Sequence, residues 1–284
     1  MIVRLKIHVP DALRDALSSL LFDAGASGLE EEPGALCVYA TEQSHLDAFK
    51  GVVERLQEVD SSQPLSIEYQ EVSNAWNQCW QGALRAEPLT HRLVLRPTHD
   101  RPAPPEEETL WFEPDASFGD GGHPTTRLAA QFIDEFVSTQ QPSSMLDVGC
   151  GSGVLSMVAA LRGVSKVLAV DIDNVAVSSA ETNLRLNHLE EKVTVRKGSA
   201  DFTLDKFDLV VANINTPILR SLCESLSART RSGGTLLLTG LLEEDEDELS
   251  SLYAGVGLVL QSSVRRDGWT LLEFLAQELD ESSG

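Results

Sequence analysis

The chain has 284 residues, 42 % of them hydrophobic and 23 % charged, a balance that fits a soluble globular protein of one large or two ordinary domains. No apolar run is long enough to span a bilayer, and the start Met1-Ile2-Val3-Arg4-Leu5-Lys6 lacks the apolar core of a secretion signal, so a cytoplasmic protein without membrane contact is expected. The formal net charge of −22 repels phosphate backbones, which disfavours direct nucleic-acid binding and tilts the expectation towards a basic partner.

Cys37, Cys79, Cys150 and Cys223 are irregularly spaced with no C-x-x-C pair, which argues against a zinc site and against a disulfide framework. No metal is expected.

Residues 1–72 read as a small α/β unit. Ile2 to Val9 alternates apolar and polar, as a half-buried strand does. Pro10 and Asp11 open a helical pattern with Leu13, Leu17, Leu20 and Leu21 on one face. Ser27 to Glu31 and Ala35 to Tyr39 read as short strands around the turn Glu32-Pro33-Gly34. A second amphipathic helix, His45 to Leu56, and a strand, Leu65 to Tyr69, complete a βαββαβ order that suggests a ferredoxin-like sandwich.

Residues 73–92 read as a linker helix region, with Trp76 and Trp80 spaced to share one helix face. Residues 93–284 form the larger domain. It opens with strand-like segments at Leu93-Val94-Leu95 and Thr109-Leu110-Trp111-Phe112, separated by a proline-rich loop. From about residue 143 the pattern alternates between strand and helix, with strands at 144–148, 166–171, 193–196, 207–212 and 234–239. That is the mark of a doubly wound, mostly parallel α/β sheet. The acidic run Glu243 to Glu248 sits at an expected helix start, where negative charge is favourable. Leu258 to Val264, the turn Arg266-Asp267-Gly268 and Trp269 to Leu275 read as a closing hairpin, so one strand at the end of the sheet should run antiparallel.

Chemistry concentrates at Leu146-Asp147-Val148-Gly149-Cys150-Gly151-Ser152-Gly153, a strand tip running into a glycine-rich turn and then a helix. Glycines let the backbone turn sharply and approach a ligand closely, and free amides at the following helix start favour negative or polar ligand atoms. Asp171 falls at the end of the next strand, where a carboxylate can accept both hydroxyls of a ribose. Asp173 instead fits a helix cap. The loop is G-x-G-x-G and not the G-x-G-x-x-G of pyrophosphate sites, and Asp147 at its root would repel a pyrophosphate while favouring a cationic, amine-bearing ligand. With the terminal hairpin, these features favour S-adenosylmethionine over a dinucleotide.

Asp147 to Gly153, Val170 to Asp173 and Val211-Ala212-Asn213-Ile214 resemble the cofactor motifs of class I methyltransferases. Ser117-Phe118-Gly119-Asp120-Gly121-Gly122-His123-Pro124-Thr125-Thr126-Arg127 resembles the F-G-T-G-x-H-P-T-T segment of the PrmA family, bacterial methyltransferases that modify the eleventh protein of the large ribosomal subunit. The N-terminal unit and the Trp76/Trp80 connector are similar to that family's substrate-recognition domain and linker.

The resemblance implies a Rossmann-like class I methyltransferase domain with a terminal antiparallel hairpin, plus the small ferredoxin-like domain. It implies S-adenosylmethionine as cofactor and lysine or N-terminal amines of a basic ribosomal protein as substrate. Thr126, Gly149, Asp171 and Asn213 occupy the family's cofactor-contacting places. Asp147, Gly151 and Ile172 belong to the same motifs and join the cofactor-binding set.

Asn213 is also the catalytic candidate, its side-chain oxygen accepting hydrogen bonds from the substrate amine. Asn213-Ile214-Asn215-Thr216 lacks the paired prolines and aromatic ring of base-directed enzymes, so it offers no stacking platform for a flipped base. Asp120 stands where the family usually has Thr, and Asn215-Thr216 where it often has small apolar residues. His123 reads as part of a loop over the cofactor, with Thr125 or Thr126 capping the next helix. A methyltransferase for another protein or a small molecule, and an interaction protein with a vestigial core, are the alternatives.

Overall fold

A computed structural model describes residues 2–10, 13–14, 17–18, 20–21, 24–26, 29–32, 34–40, 43–59, 65–72, 85–114 and 123–277. The chain divides into two compact units, residues 1–83 and 84–284. The expected Trp76/Trp80 helix and the Ser117 to Gly122 loop lie outside the described residues.

In the first unit, strands β1 (Ile2–His8), β2 (Leu29–Glu32), β3 (Ala35–Ala40) and β4 (Ser66–Val72) form an antiparallel sheet in the order β2-β3-β1-β4. That is the ferredoxin-like order. The period-2 pattern has its expected effect: Val3, Leu5 and Ile7 face an apolar core with Leu36 and Val38, while Arg4, Lys6 and His8 face the other way. Leu13, Leu17, Leu20 and Leu21 are helical, and Leu17 and Leu21 are fully buried. Helix α1 (Gln43–Val59) adds Leu46, Phe49, Val52 and Val53 to the same core. On the polar face Glu32 is paired with both Arg4 and Lys6.

The second unit opens with a small sheet. Strand β5 (Glu87–Pro88) pairs antiparallel with β6 (Leu93–Pro97), and β6 pairs parallel with β7 (Glu108–Phe112). The two strand-like segments are therefore neighbours, joined by the proline-rich loop.

Helix α2 (Pro124–Gln140) leads into β8 (Ser144–Val148), α3 (Val154–Arg162), β9 (Lys166–Asp171), α4 (Asn174–Leu186), β10 (Val193–Lys197) and β11 (Phe207–Asn213). Short helices α5 (Thr216–Ser221) and α6 (Cys223–Arg229) follow, then β12 (Thr230–Leu242), α7 (Glu246–Ala254), β13 (Leu258–Arg266) and β14 (Trp269–Ala276).

The seven strands order as β10-β9-β8-β11-β12-β14-β13. The first five run parallel; β14 runs antiparallel between β12 and β13, as the closing hairpin requires. The central strands β8 and β11 are buried on both faces, which explains their near-continuous apolar runs, while the edge strand β10 alternates. One face is covered by α2, α3 and α4, whose Ile133, Met157 and Leu184 pack with Met145 and Val211. The other is covered by α5, α6 and α7, whose Leu219, Leu226 and Tyr253 pack with Leu146 and Ala212. The sheet order, with its reversed strand near one edge, is that of a class I methyltransferase domain.

Candidate active site

The carboxyl ends of β8, β9 and β11 lie side by side at the centre of the sheet, with Val148 opposite both Val170 and Ala212. The glycine loop leaves β8 there and folds over the end of β9, where the N–H groups of Gly149 and Cys150 both donate to the Val170 carbonyl, at 2.8 and 3.1 Å. The Gly149 backbone is left-handed, φ +73°, and a Cβ there would lie 2.5 Å from Ile214 Cγ2. Two reasons thus require glycine: the turn and the close approach of the β11 loop.

Asp171 is held in a fixed orientation. The Gly151 N–H donates to its Oδ2 at 2.9 Å and the Asp173 N–H to its Oδ1 at 3.0 Å. Each carboxylate oxygen keeps further acceptor capacity, and the side chain is half-buried at the mouth of the loop. Ile172, the next residue, is 71 % exposed, an unusual position for a large aliphatic side chain. Asp173 caps α4 by accepting from the Val175 N–H at 2.9 Å, as its position in the sequence suggests.

Asp147 is 1 % exposed and faces the α2–α3 side of the sheet. Its Oδ2 accepts the Ser156 hydroxyl at 2.6 Å, while its Oδ1 has no hydrogen-bond partner among the described residues. Burial pushes this carboxyl up to about 6; the Ser156 hydrogen bond opposes that and the Asp171 charge adds to it.

Asn213 lies on the same face of the sheet, because Val211 is opposite Asp147 and Asn213 follows one pleat later. Its Oδ1 is also buried without a partner among the described residues, and so is the Thr126 hydroxyl. Thr126 sits in the first turn of α2, the helix that covers this face. The start of α2 lies at the same end of the sheet. The His123 ring meets Trp269 edge-on, centroids 4.8 Å apart, and Trp269 pairs with Leu242 at the carboxyl end of β12.

The seven sequence-derived positions thus gather at one end of one sheet. Asp147, Asp171 and Asn213 lie on three adjacent strand ends, Gly149, Gly151 and Ile172 lie in the loops that leave them, and Thr126 is in the first turn of α2. An unsatisfied buried polar group costs about 1–3 kcal/mol, so three of them at one sheet end need an explanation.

His123 departs from the expected capping. It is itself the N-cap of α2: its Nδ1 accepts from the Thr125 N–H at 3.3 Å and lies 2.7 Å from the Thr125 hydroxyl. Thr125 and Thr126 instead sit buried inside the first turn, after Pro124, which suits the first helical position.

Two supporting residues carry no periodic signal and were not foreseen. Ser156 is buried on α3, and its hydroxyl donates to Asp147. Asn183, wholly buried on α4, donates to the Ser152 carbonyl of the glycine loop at 2.9 Å and accepts from the Glu113 N–H at 2.8 Å.

Residues 2–277 match the family model described as ribosomal protein L11 methyltransferase (PrmA). A protein named ribosomal protein L11 methyltransferase from Sorangium cellulosum is 31 % identical over 273 residues, covering 92 % of this chain and 85 % of its own. One of the same name from Methylococcus capsulatus is 34 % identical over 283 residues, covering 93 % and 92 %. The crystal structure of a ribosomal protein L11 methylase from Lactobacillus delbrueckii subsp. bulgaricus is similar at a TM-score of 0.63 and 28 % identity, over 69 % of this chain and 100 % of that one. Sequence, strand order and relatives agree: the chain belongs to the PrmA family of ribosomal protein L11 methyltransferases and is a methyltransferase of class I fold.

Proposed function

We propose that the protein transfers methyl groups from S-adenosylmethionine to lysine side chains or the N-terminal amine of ribosomal protein L11. The observation that carries this reading is the set of buried, unpartnered oxygens on Thr126, Asp147 and Asn213 around the glycine loop. Their chemistry fits the cofactor. A cationic amino group suits Asp147, whose buried carboxylate lacks a positive partner among the described residues. Asp171, held by two backbone donors with acceptor capacity to spare, suits a pair of ribose hydroxyls. Ile172 offers an exposed apolar face for a purine ring. Gly149 and Gly151 admit the cofactor backbone-close, and Thr126 supplies a hydroxyl from the side of α2.

When bound, S-adenosylmethionine supplies a methyl group already activated on a sulfonium, so the protein's task is orientation. Asn213 is placed for the acceptor. Its Oδ1 accepts a hydrogen bond from the incoming amine and aims the nitrogen lone pair, which requires that the amine arrive neutral. His123 is occupied in capping α2 and in its edge-on contact with Trp269, so the proton is released to water.

The test is an assay with labelled S-adenosylmethionine and purified ribosomal protein L11, read by intact mass, beside the Asp171→Ala variant. Mass gains in steps of one methyl group, lost in the variant, are expected. Cofactor binding with no gain on L11 would remove this substrate and direct the search to other protein amines and small molecules.

A further inference from the structure

Ile214 follows the candidate catalytic Asn213 and is gripped from two sides. Its Cγ2 occupies the space that a Cβ on Gly149 would need. On its other side, β12 makes a one-residue bulge. Leu238 pairs with Leu272 and Leu241 with Thr270, so three steps along β12 match two along β14. Gly240 lies within that bulge at φ +86°. A Cβ on Gly240 would sit 2.6 Å from the Ile214 carbonyl oxygen and 2.9 Å from its carbonyl carbon and its nitrogen. These are backbone atoms, so no side-chain rotation relieves the clash. The preceding residue completes the grip, since the Ile214 N–H donates to the Thr239 carbonyl at 3.1 Å, and Thr239 is the register partner of Asn213.

We propose that Gly240 is a positioning residue for methyl transfer: its bare backbone fixes the Asn213-Ile214 peptide against the Gly149 loop and so sets where the Asn213 side chain meets the acceptor amine. The inference rests on the function proposed above. The chain Gly240–Ile214–Gly149 spans from the β12 bulge to the cofactor loop with backbone or Cγ2 contacts throughout. Any side chain at 240 must push Ile214 towards Gly149 or undo the bulge. Either movement displaces Asn213, and misplacement by about 1 Å costs on the order of a hundredfold in rate.

Gly240→Ala is compared with Gly257→Ala. Gly257 has nearly the same backbone, φ +88°, but nothing within 4 Å of an added Cβ, so it carries the conformational strain without the push on Ile214. Two readouts are taken on the full chain: kcat with both substrates saturating, and the methyl resonance of Ile214 in isoleucine-labelled protein. Gly240→Ala is expected to shift the Ile214 resonance and lower kcat by about tenfold to a hundredfold. Gly257→Ala is expected to leave both unchanged, with a smaller loss of melting temperature that reports the backbone strain alone. A Gly240→Ala enzyme with wild-type kcat, or with a lowered kcat and an unmoved Ile214, overturns the proposal, as does an equal loss in Gly257→Ala. Should Gly240→Ala fail to fold, Ile214→Ala decides, since it empties the contact on Gly149: a lowered kcat supports the proposal and a wild-type kcat overturns it. A wild-type enzyme inactive on L11 overturns the substrate reading alone. Gly240 is then judged by the Ile214 resonance and by calorimetric affinity for S-adenosylhomocysteine, both expected to change in Gly240→Ala and not in Gly257→Ala; no change in either overturns the proposal.

Discussion

At Asp147 one carboxylate meets two opposed demands. Burial favours the neutral acid, and the proposed cationic partner favours the ion. With its folded-state value raised to about 6, above that of an unfolded chain, the native state holds the extra proton at mildly acidic pH. Its contribution to stability is therefore fully present below the unfolded value and is lost as pH rises through about 6. Asp147→Asn removes that loss and is expected to raise the cofactor-free stability near neutral pH by roughly 3 kcal/mol, measured by urea unfolding. Cofactor binding runs the other way. If the amino group needs the ionised form, affinity falls by up to about tenfold for each pH unit below about 6, and calorimetry on Asp147→Asn gives a weaker, flat profile. A wild-type profile that is already flat would place the amino group elsewhere. The place of Asp147 at a strand tip before a glycine loop was legible in the sequence. Its burial and its Ser156 partner were not, because both depend on which face of the sheet α3 covers.

The elements show where periodicity suffices. Strands β8 to β12 and the β13–β14 hairpin were readable from apolar runs and turn residues, as was a parallel sheet with one reversed strand at its end; the strand order itself was not, because it depends on long-range pairing. The β5–β7 sheet was not read as a sheet, because its pairing and its attachment are long-range: Leu93, Leu95, Leu110 and Phe112 join the apolar core of the α2–α4 face, and polar ties add to it. Asn187 of the loop after α4 accepts from the Trp111 N–H at 2.8 Å and donates to the Trp111 carbonyl at 2.6 Å, and Arg162 of α3 makes two hydrogen bonds to Glu108. Asp134 on α2 gathers three of the polar ties: it is buried and hydrogen-bonded by Thr90, Arg92 and Arg162. Burial alone would push its carboxyl up; the bonds from Arg162, Thr90 and Arg92 together outweigh it and hold the carboxyl below the usual range. Its sign is opposite to that of Asp147: this stability is present above the ordinary carboxylate range and is lost as pH falls through the lowered folded value. Asp134→Ala leaves Arg162 buried and short of a partner, and is expected to cost about 3 kcal/mol in denaturant unfolding at neutral pH. A cost below about 1 kcal/mol would mean that Glu108 holds Arg162 unaided.

Over the whole molecule the dominant feature is charge. Forty-four acidic residues against twenty-two basic ones leave a net −22, and the run Glu243 to Glu248 begins immediately after the carboxyl end of β12, the end of the sheet that carries the candidate site. Thr216, three residues beyond Asn213, donates its hydroxyl to Asp245 at 2.7 Å, which fixes part of that run close to the β11 loop. Sequence alone gave the sign and size of the charge, but not that the run borders the site; that depends on the topology placing β11 beside β12. If the acceptor is a basic protein, this field steers the encounter and contributes to kcat/KM more than to kcat. The Debye length shrinks from about 30 Å at 0.01 M ionic strength to about 8 Å at 0.15 M, so most of the long-range attraction is screened over that interval. Methylation of L11 is therefore expected to lose about tenfold or more in kcat/KM across it, with kcat steady. Glu243→Gln/Glu244→Gln, which removes two exposed charges and touches no proposed cofactor contact, should flatten the salt dependence in proportion. A kcat/KM indifferent to salt would show that the acceptor surface is recognised by shape and apolar contact, and that the acidity of this chain serves its solubility alone.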